Sequence, residues 1–335
     1  MKQKPLFLTI SASPHAHSRN STRVIMCDVC IALLPALAAA LYFFGLRALT
    51  LTAVSVFGCI FFEWAYRKIM KKSQTVGDWS AAVTGMLIAF VCPVSLPFWT
   101  VLLADLFAIV LVKQLFGGIG MNIVNPALAA RAFLFSWPSL MSGAWVASGT
   151  YLPALSAANV DGLTSATPME ALAVGRLPTE SLLDLFLGKV GGSLGEVSAL
   201  ALILGGIYLL IRRVISLRIP LAYLLTVAVL TFIFPLGGAS RVDWMLYQLL
   251  SGGLMLGAIF MATDYTTSPV TKGGQIVFGI GCGALSVALR YFGSYVEGVS
   301  YAILIMNCCV GFFDKIGVPK RFGLAKKARK GGEGK

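Results

Sequence analysis

Residues 161–170, DGLTSATPME, place hydroxyl and carboxylate groups at spacings that suit the attachment of a phosphate. Thr167 precedes Pro168, the residue favoured at the first position of a helix, and Glu170 follows three residues after Thr167, as in a capping box. A phosphate joined to the Thr167 hydroxyl would meet free backbone N–H groups and the positive end of the helix dipole. Asp161 is placed to bind a metal ion or to position the hydroxyl during its modification.

The same residues also form a complete helix start that needs no function. Thr167 is then only the N-cap, and the run MEALAVG is a short helix that ends at Gly175. Local sequence favours this plain structural role, so both interpretations stay open at this stage.

The elements that position this segment are membrane helices. The chain is 57% hydrophobic and 12% charged, with a mean hydropathy of +0.82, whereas soluble domains carry about 25% charged residues. The net charge of +13 would suggest nucleic-acid binding if it lay on one soluble face. The Lys and Arg residues instead lie in short clusters between apolar runs, the positive-inside pattern of a protein whose neighbour is membrane lipid and not nucleic acid.

The apolar runs predict an all-α polytopic membrane protein with about ten transmembrane helices, each of about 20 residues or somewhat fewer. With the basic amino terminus in the cytoplasm, ten spans return the basic tail to the cytoplasm and place every dense basic cluster there. The candidate spans are residues 24–45, 49–68, 79–96, 98–115, 123–140, 196–213, 218–236, 245–263, 275–292 and 298–314.

These spans divide the chain into five parts. We predict a cytoplasmic amino-terminal segment (residues 1–23), a first transmembrane half (24–140), an outer loop (141–195), a second transmembrane half (196–314) and a basic cytoplasmic tail (315–335). The outer loop is rich in Gly, Ser and Ala and contains Thr167. Loops longer than about 15 residues usually have a function or are disordered.

Two junctions beside the predicted inner face interrupt the apolar pattern. One is FGGIGMNIVNPALAARAF at residues 116–133, and the other is ATDYTTSPVTKGG at residues 262–274. Broken helices in corresponding positions indicate a binding region between two repeats, here two five-helix halves. The alternative is two ordinary loops in which Gly and Pro form turns.

Several stretches resemble the membrane-protein family that contains RnfD and NqrB. The segment D-x-x-T-S-A-T-P-M looks like the flavinylation motif of that family, with Thr167 as the acceptor and Ser165 where many members have Gly. The resemblance covers nearly the whole chain, and the short amino terminus is more similar to RnfD than to NqrB. The other matching stretches are SPHAH at 13–17, FGGIGMNIVNPALAARAFL at 116–134, ATDYTTSPVT at 262–271 and YVEGVSYAILIMN at 295–307.

The resemblance implies a subunit of an Rnf-type complex, which exchanges electrons between ferredoxin and NAD and moves Na+ or H+ across the cell inner membrane. It implies FMN joined to Thr167 through a phosphoester, with Asp161, Ser165 and Ala166 as the local motif. An FAD:protein FMN transferase would attach it on the outer side. The family also implies a second, non-covalent flavin, which is riboflavin in the NqrB relatives. The implied partners are the other Rnf subunits (A, B, C, E and G).

Ionisable residues within the apolar runs are candidates for further roles, because charges at membrane depth often mark ion paths or cofactor pockets. Arg131 and Asp264, beside the two junctions, are predicted to contact a flavin or to tie helices together. Asp105 is predicted to serve an ion path or to bind a neighbouring helix. Glu63 and Lys113 are expected to reach the membrane interface by snorkelling.

Other functions remain open from the sequence. The nearest is an NqrB-like subunit of a Na+-translocating NADH:quinone oxidoreductase. A different class is a channel or secondary transporter that carries no flavin, and a third is a purely structural subunit. Only the flavoprotein functions predict a coloured chain.

Overall fold

The computed structural model describes residues 21–137, 141, 145–155, 167–236, 238, 240–293 and 298–318. The regular elements in these ranges are helices, which confirms the predicted all-α class. The first half contains α1 (Thr22–Phe44), α2 (Leu46–Ile69), a 3-10 turn (Val76–Asp78), α3 (Ser80–Phe90), α4 (Phe98–Leu106) and α5 (Pro126–Phe135).

The rest of the described chain adds two short helices and a second group of apolar helices. The short ones are α6 (Pro168–Ala173) and α7 (Leu182–Leu187). The second group comprises α8 (Ala199–Ile211), α9 (Arg218–Ile233), α10 (Arg241–Leu250), α11 (Leu254–Leu256), α12 (Lys272–Phe292), α13 (Val299–Cys308) and α14 (Val310–Phe313).

The long helix α1 sets the two ends of the bundle. Ser21 caps its start by accepting a hydrogen bond from the Val24 N–H, and Gly45, at φ 72°, ends it and turns the chain directly into α2. This left-handed conformation favours glycine. We call the end of the bundle where α1 begins the amino-terminal face, and the opposite end, where Gly45 lies, the Thr167 face.

Helix α8 packs antiparallel against α1. Near the amino-terminal face, Asp28 accepts hydrogen bonds from the Tyr208 hydroxyl and the Arg212 guanidinium. Near the middle, a Cβ on Gly205 would lie 2.1 Å from the Ala32 carbonyl oxygen. The two backbones touch, as small residues allow between membrane helices.

Three helices (α1, α2 and α12) are long and apolar enough to cross a membrane by length and composition, and α10 with the stretch Leu254–Met261 makes a fourth if this pair, bent by 65°, is one span. Each of the ten predicted spans overlaps at least one helix. Five of these helices are shorter apolar ones of 10–17 residues. The chain is therefore a polytopic membrane protein, while the number of crossings and the five-part division stay predictions.

Two stretches of π-helix precede the two junctions singled out in the sequence. Helix α4 continues as a π-helix over Phe107–Gln114, before the glycine-rich junction, and α11 continues as a π-helix over Gly257–Met261, before the second junction. π-Helical turns inside otherwise α-helical segments are frequent at functional sites. Each junction is thus preceded by an irregular helical stretch.

Candidate functional site: two clefts joined by one short helix

Thr167 lies at the start of α6, as predicted. It is the N-cap residue, Pro168 follows at the first helical position, and the Glu170 N–H donates to the Thr167 carbonyl oxygen over 2.9 Å. The Thr167 side chain, however, makes no capping hydrogen bond to the helix. The side-chain bond of the expected capping box is therefore missing, and the hydroxyl is left uncommitted. Asp161, Ser165 and Ala166 lie outside the described residues.

The Thr167 side chain is buried and faces a small cleft, which we call the Thr167 cleft. Four parts of the chain form its walls: the start of α6, Leu185 of α7, the segment before α8, and the break between α10 and α11. The lining residues include Thr167, Gly191, Gly192, Glu196, Ser251 and Gly252. Four of these six are Gly or Ser, whose small side chains leave room for a larger group.

Two buried arginines stand next to this cleft. Arg131 of α5 donates through a terminal nitrogen to a Glu196 oxygen over 2.6 Å, and both side chains are at most 4% exposed. Arg290 of α12 donates to the Gln248 carbonyl and side-chain oxygens over 2.6 and 2.9 Å and to the Ser251 carbonyl over 3.1 Å. Arg290 thereby holds the carbonyls that the end of α10 leaves without helical partners.

Buried polar groups without partners in the described structure border the Thr167 cleft. Three buried polar atoms at or next to it lack hydrogen-bond partners within the described structure: the hydroxyls of Ser193 and Ser251 and the Nε of Arg290. A terminal nitrogen of Arg290 lies 3.4 Å from the place that a Cβ on Gly252 would take. Unsatisfied buried donors are costly and rare in folded proteins. A cationic donor, two hydroxyls and an uncommitted threonine suit an anionic, polar group.

A second cleft lies near the amino-terminal face, between the two junctions. It measures about 760 Å³ including the space at its mouth, and we call it the amino-terminal cleft. Its polar lining comes from α3, the end of the first π-helix and both junctions: Ser80, Thr84, Lys113, Asn122, Asn125, Thr263, Asp264, Tyr265 and Thr266. The sequence marked both junctions, and the structure places them on one cavity.

Two asparagines tie these junctions together. Asn125 caps α5 by accepting from the Ala127 and Leu128 N–H groups, and its amide donates to the Met261 carbonyl over 3.4 Å. With its amide in the hydrogen-bonded orientation, Asn307 of α13 donates to the Thr267 carbonyl over 3.0 Å and accepts from the Asn125 N–H over 3.2 Å. The interrupted backbone is thus satisfied by side chains in a protein cavity, as membrane-embedded irregular segments require.

Asp264 is the acidic group of the amino-terminal cleft. Its carboxylate accepts hydrogen bonds from the Thr266 and Thr267 hydroxyls over 3.0 and 3.2 Å. Burial raises the pKa of Asp264 above its ordinary value, while the threonine hydrogen bonds act in the opposite direction. The carboxyl is therefore easier to protonate than an exposed one.

The structure separates the two charged residues that the sequence grouped as flavin contacts. Asp264 lies in the amino-terminal cleft, whereas Arg131 points to the Thr167 cleft through Glu196. Helix α5 connects them, since Asn125 at its start lines the first cleft and Arg131 lies six residues further on.

Glu196 and Arg290 were missed as site residues. Their signals in the sequence were an isolated acid before an apolar run and the interruption SGG at residues 251–253.

Residues 9–323 match the model of the NQR2, RnfD, RnfE family. The chain is similar to the D subunit of the Na(+)-translocating ferredoxin:NAD(+) oxidoreductase complex of Acetobacterium woodii, with 46% identity over 96% of this chain and 97% of the relative. It is also similar to the D subunit of the proton-translocating ferredoxin:NAD(+) oxidoreductase complex of Clostridium ljungdahlii, at 37% identity over 96% and 97%. The D subunit of the ion-translocating oxidoreductase complex of Methanosarcina acetivorans is 36% identical over 94% and 97%.

Proposed function

This chain belongs to the NQR2, RnfD, RnfE family, and from that premise we propose that it is the membrane flavoprotein subunit of an Rnf-type complex. The complex exchanges electrons between ferredoxin and NAD and couples this exchange to movement of Na+ or H+ across the cell inner membrane. The names of two similar relatives, which are subunits of ferredoxin:NAD(+) oxidoreductase complexes, favour this function over NqrB-like quinone reduction. The partners in the proposal are the other Rnf subunits (A, B, C, E and G).

The proposal assigns covalent FMN to Thr167 through a phosphoester. The observation that carries it is the uncommitted Thr167 hydroxyl, buried in a cleft whose neighbouring polar atoms lack partners within the described structure. Arg290 and the Ser251 hydroxyl are the groups placed to hold the phosphate and the polar chain of the cofactor. FMN bound there supplies the one- and two-electron chemistry that amino-acid side chains lack. Asp161, Ser165 and Ala166 complete the motif that the FAD:protein FMN transferase reads.

The residues around the Thr167 cleft have separate tasks in this proposal. Arg290 offsets negative charge, and its three hydrogen bonds fix the break between α10 and α11. Glu196 balances the charge of Arg131, which leaves the Arg290 guanidinium as a cation that can face an anionic group. The buried position of Thr167 keeps bulk water from the attachment point, and a low local dielectric strengthens the interactions of the remaining charges.

We assign the second, non-covalent flavin to the amino-terminal cleft. Support comes from its hydroxyl- and amide-rich lining and its position between the two irregular junctions. Lys113 and Asp264 provide one cation and one acid at its walls, and Asn122 and Asn125 provide amides that suit the donor and acceptor edge of a flavin ring. Asp264 is thus proposed as a flavin contact here, and Arg131 acts at the other cleft through Glu196.

The sidedness of the chain is also part of the proposal. We place the amino-terminal face and both termini in the cytoplasm and the Thr167 cleft on the outer side. Support comes from the basic residues at the ends of α2 and α8, such as Arg67, Lys68 and Arg212, which lie at the amino-terminal face.

In-gel fluorescence tests the proposed attachment. The chain is produced with the FMN transferase, run on a denaturing gel and viewed under ultraviolet light. We expect a fluorescent band at 35.7 kDa for the wild type and no fluorescent band for Thr167→Ala. Thr167→Ser keeps a hydroxyl, and its band measures how well the transferase accepts serine. Mass spectrometry of the peptide that contains Thr167 locates the added FMN.

Thr271→Ala is the matched control, because Thr271 is also a threonine N-cap and its hydroxyl accepts from the Gly274 N–H. This variant should stay fluorescent. A dark wild-type band in cells that flavinylate a known acceptor would contradict the proposal and favour a flavin-free transporter. Fluorescence that survives Thr167→Ala would place the cofactor on another residue.

A further inference from the structure

One face of α2 carries a buried polar stripe that neither cleft explains. Ser55, Cys59, Glu63 and Arg67 recur every fourth residue, a spacing of about 6 Å along a helix, and all four are buried. Each is bonded to the facing helix α4 or its π-helical continuation: Ser55 and Cys59 to Asp105, Glu63 to Lys113, and Arg67 to Gln114.

The middle of this stripe is a compensated ion pair. The Lys113 ammonium lies 2.8 Å from a Glu63 oxygen and also donates to the Ser80 hydroxyl over 2.6 Å. The sequence predicted that Glu63 and Lys113 reach the membrane interface by snorkelling. That prediction is wrong, because the two side chains neutralise each other inside the bundle. Lys113 and Ser80 also line the amino-terminal cleft, so the stripe opens there.

Asp105 lies beside Ser55 and Cys59, at the end of the stripe away from the amino-terminal face. It has no oppositely charged partner among the described residues. Its side chain is fully buried, and one carboxyl oxygen, Oδ2, has no hydrogen-bond partner within the described structure. Gly58 allows this close packing, since a Cβ there would lie 2.8 Å from Oδ2. Lys113 is eight residues away, near the end of the π-helical stretch, and is already paired with Glu63. A lone carboxylate at this depth would be strongly unfavourable.

The hydrogen bonds around Asp105 also suit a neutral acid. The Ser55 oxygen lies 2.7 Å from Asp105 Oδ1 and 2.9 Å from the Gly85 carbonyl oxygen of α3. A hydroxyl carries one proton and cannot donate to both acceptors at once. If Oδ1 carries a proton, it donates to Ser55, and Ser55 donates to Gly85, so both short contacts are hydrogen bonds.

The titratable groups around Asp105 are two thiols and an ion pair whose charges cancel. Cys59 of α2 donates its S–H to Oδ1 over 3.4 Å. Glu63 and Lys113 lie further along the stripe and cancel each other. Cys92, after α3, is a more distant thiol. None of these groups supplies a positive charge to an Asp105 carboxylate.

We propose that Asp105 is a proton-binding site of the ion-translocation path: a carboxylic acid in the resting protein that exchanges its proton with water of the amino-terminal cleft along the α2 stripe. In that exchange the O–H bond of Asp105 breaks, a water molecule takes the proton, and the carboxylate is reprotonated in the reverse step. This role rests on the proposed coupling of electron transfer to ion movement, but the protonation state does not.

Carbodiimide labelling of the assembled complex tests the protonation state. Dicyclohexylcarbodiimide adds to buried carboxylic acids and not to carboxylates. We expect mass spectrometry to find Asp105 labelled at about pH 7, where an exposed aspartate is ionised, and Asp105→Asn to be unlabelled. Cys59→Ser is the control that keeps the carboxyl and a donor to it, and it should still be labelled.

The labelling experiment has two outcomes against the proposal. No label on Asp105 between about pH 5 and pH 7, while another buried carboxyl of the complex reacts, would overturn it. Protection by Na+ at constant pH, without protection by choline, would replace the proton site by a sodium site. These results do not depend on whether Thr167 carries FMN, which the gel assay reads separately.

Reconstituted vesicles test the role in translocation. Ferredoxin-dependent NAD+ reduction is measured together with the membrane potential that it generates. Asp105→Asn should lower the charge moved per NADH by a larger factor than it lowers the rate of NADH formation measured without a membrane potential, because only the charge movement requires proton transfer through this site. Equal loss of both would mean a structural role, and full coupling in the variant would remove Asp105 from the path.

Discussion

The Arg131 guanidinium and the Glu196 carboxylate are 2.6 Å apart and buried at the edge of the Thr167 cleft. They are separated by 65 positions in the chain and join α5 to the segment before α8. The pair fixes one wall of the cleft without adding net charge to it.

Removal of one partner from this pair should be strongly destabilising. We expect Glu196→Ala to lower the stability of the folded chain by about 3–5 kcal/mol, because it removes the buried carboxylate that is bonded to the buried Arg131 guanidinium. The double variant Arg131→Met, Glu196→Leu should recover most of this loss. Thermal denaturation in detergent, followed by tryptophan fluorescence, measures both.

Arg212 is the control for that experiment, since its side chain is 48% exposed and Asp28 keeps its hydrogen bond from the Tyr208 hydroxyl. Arg212→Ala should shift the transition far less than Glu196→Ala does. Similar shifts for the two single variants would contradict the importance we give to burial.

Arg290 should be required for efficient flavin attachment. Arg290→Met removes three hydrogen bonds at the break between α10 and α11, and Arg290→Lys keeps the charge but cannot bridge the Gln248 and Ser251 carbonyls in the same way. We expect both variants to show less in-gel fluorescence per chain, with Lys between Met and the wild type.

Full fluorescence in Arg290→Lys but not in Arg290→Met would mean that charge alone matters at this position. Wild-type fluorescence in both would show that the guanidinium serves neither the cleft nor its cofactor. Size-exclusion chromatography of each variant separates these outcomes from misfolding.

Asn125 should stabilise the fold in two ways, as the cap of α5 and as a hydrogen-bond donor to the Met261 carbonyl beside the amino-terminal cleft. Asn125→Asp keeps an oxygen that can accept from the Ala127 and Leu128 N–H groups but loses the amide donor to the Met261 carbonyl. Asn125→Ala loses both and should cost about 1 kcal/mol for the cap alone. We therefore expect stability in the order wild type, Asp, Ala.

The same variants test the second flavin. Acid-released, non-covalent flavin is quantified by chromatography after removal of the protein. Both variants should contain less of it than the wild type, whereas the fluorescence of Thr167-linked flavin in a gel should persist. Unchanged non-covalent flavin in Asn125→Ala would place that cofactor elsewhere.

Gly205 should tolerate no larger residue. A Cβ at this position would lie 2.1 Å from the Ala32 carbonyl oxygen, so Gly205→Ala must push α8 away from α1. Overpacking of this kind typically costs about 1–3 kcal/mol. Gly311→Ala, where a Cβ meets nothing within 4 Å, is the control and should leave the thermal transition of the complex unchanged or slightly raised.

The sequence predicted the class of protein because hydropathy and basic clusters are local properties of each apolar run. It also located Thr167 at a helix start, since the residues that begin a helix are neighbours in the chain. The junctions at 116–133 and 262–274 were visible as interruptions by Gly, Asn and Pro.

Glu196, Arg290 and the Ser55–Asp105 bond could not be predicted in the same way. Their partners are distant in sequence, and helical periodicity does not show which ends of neighbouring helices meet. Thus Arg131 and Asp264 looked equivalent beside their junctions, although they serve different clefts. Asn125 and the Met261 carbonyl, 136 positions apart, illustrate the distance that local patterns cannot bridge.

Helix α5 has ten residues, about 15 Å of rigid rod, with Asn125 before one end and Arg131 near its middle. Helix α5 is therefore one rigid element that reaches both clefts: Asn125 lines the amino-terminal cleft, and Arg131 is bonded to Glu196 at the Thr167 cleft.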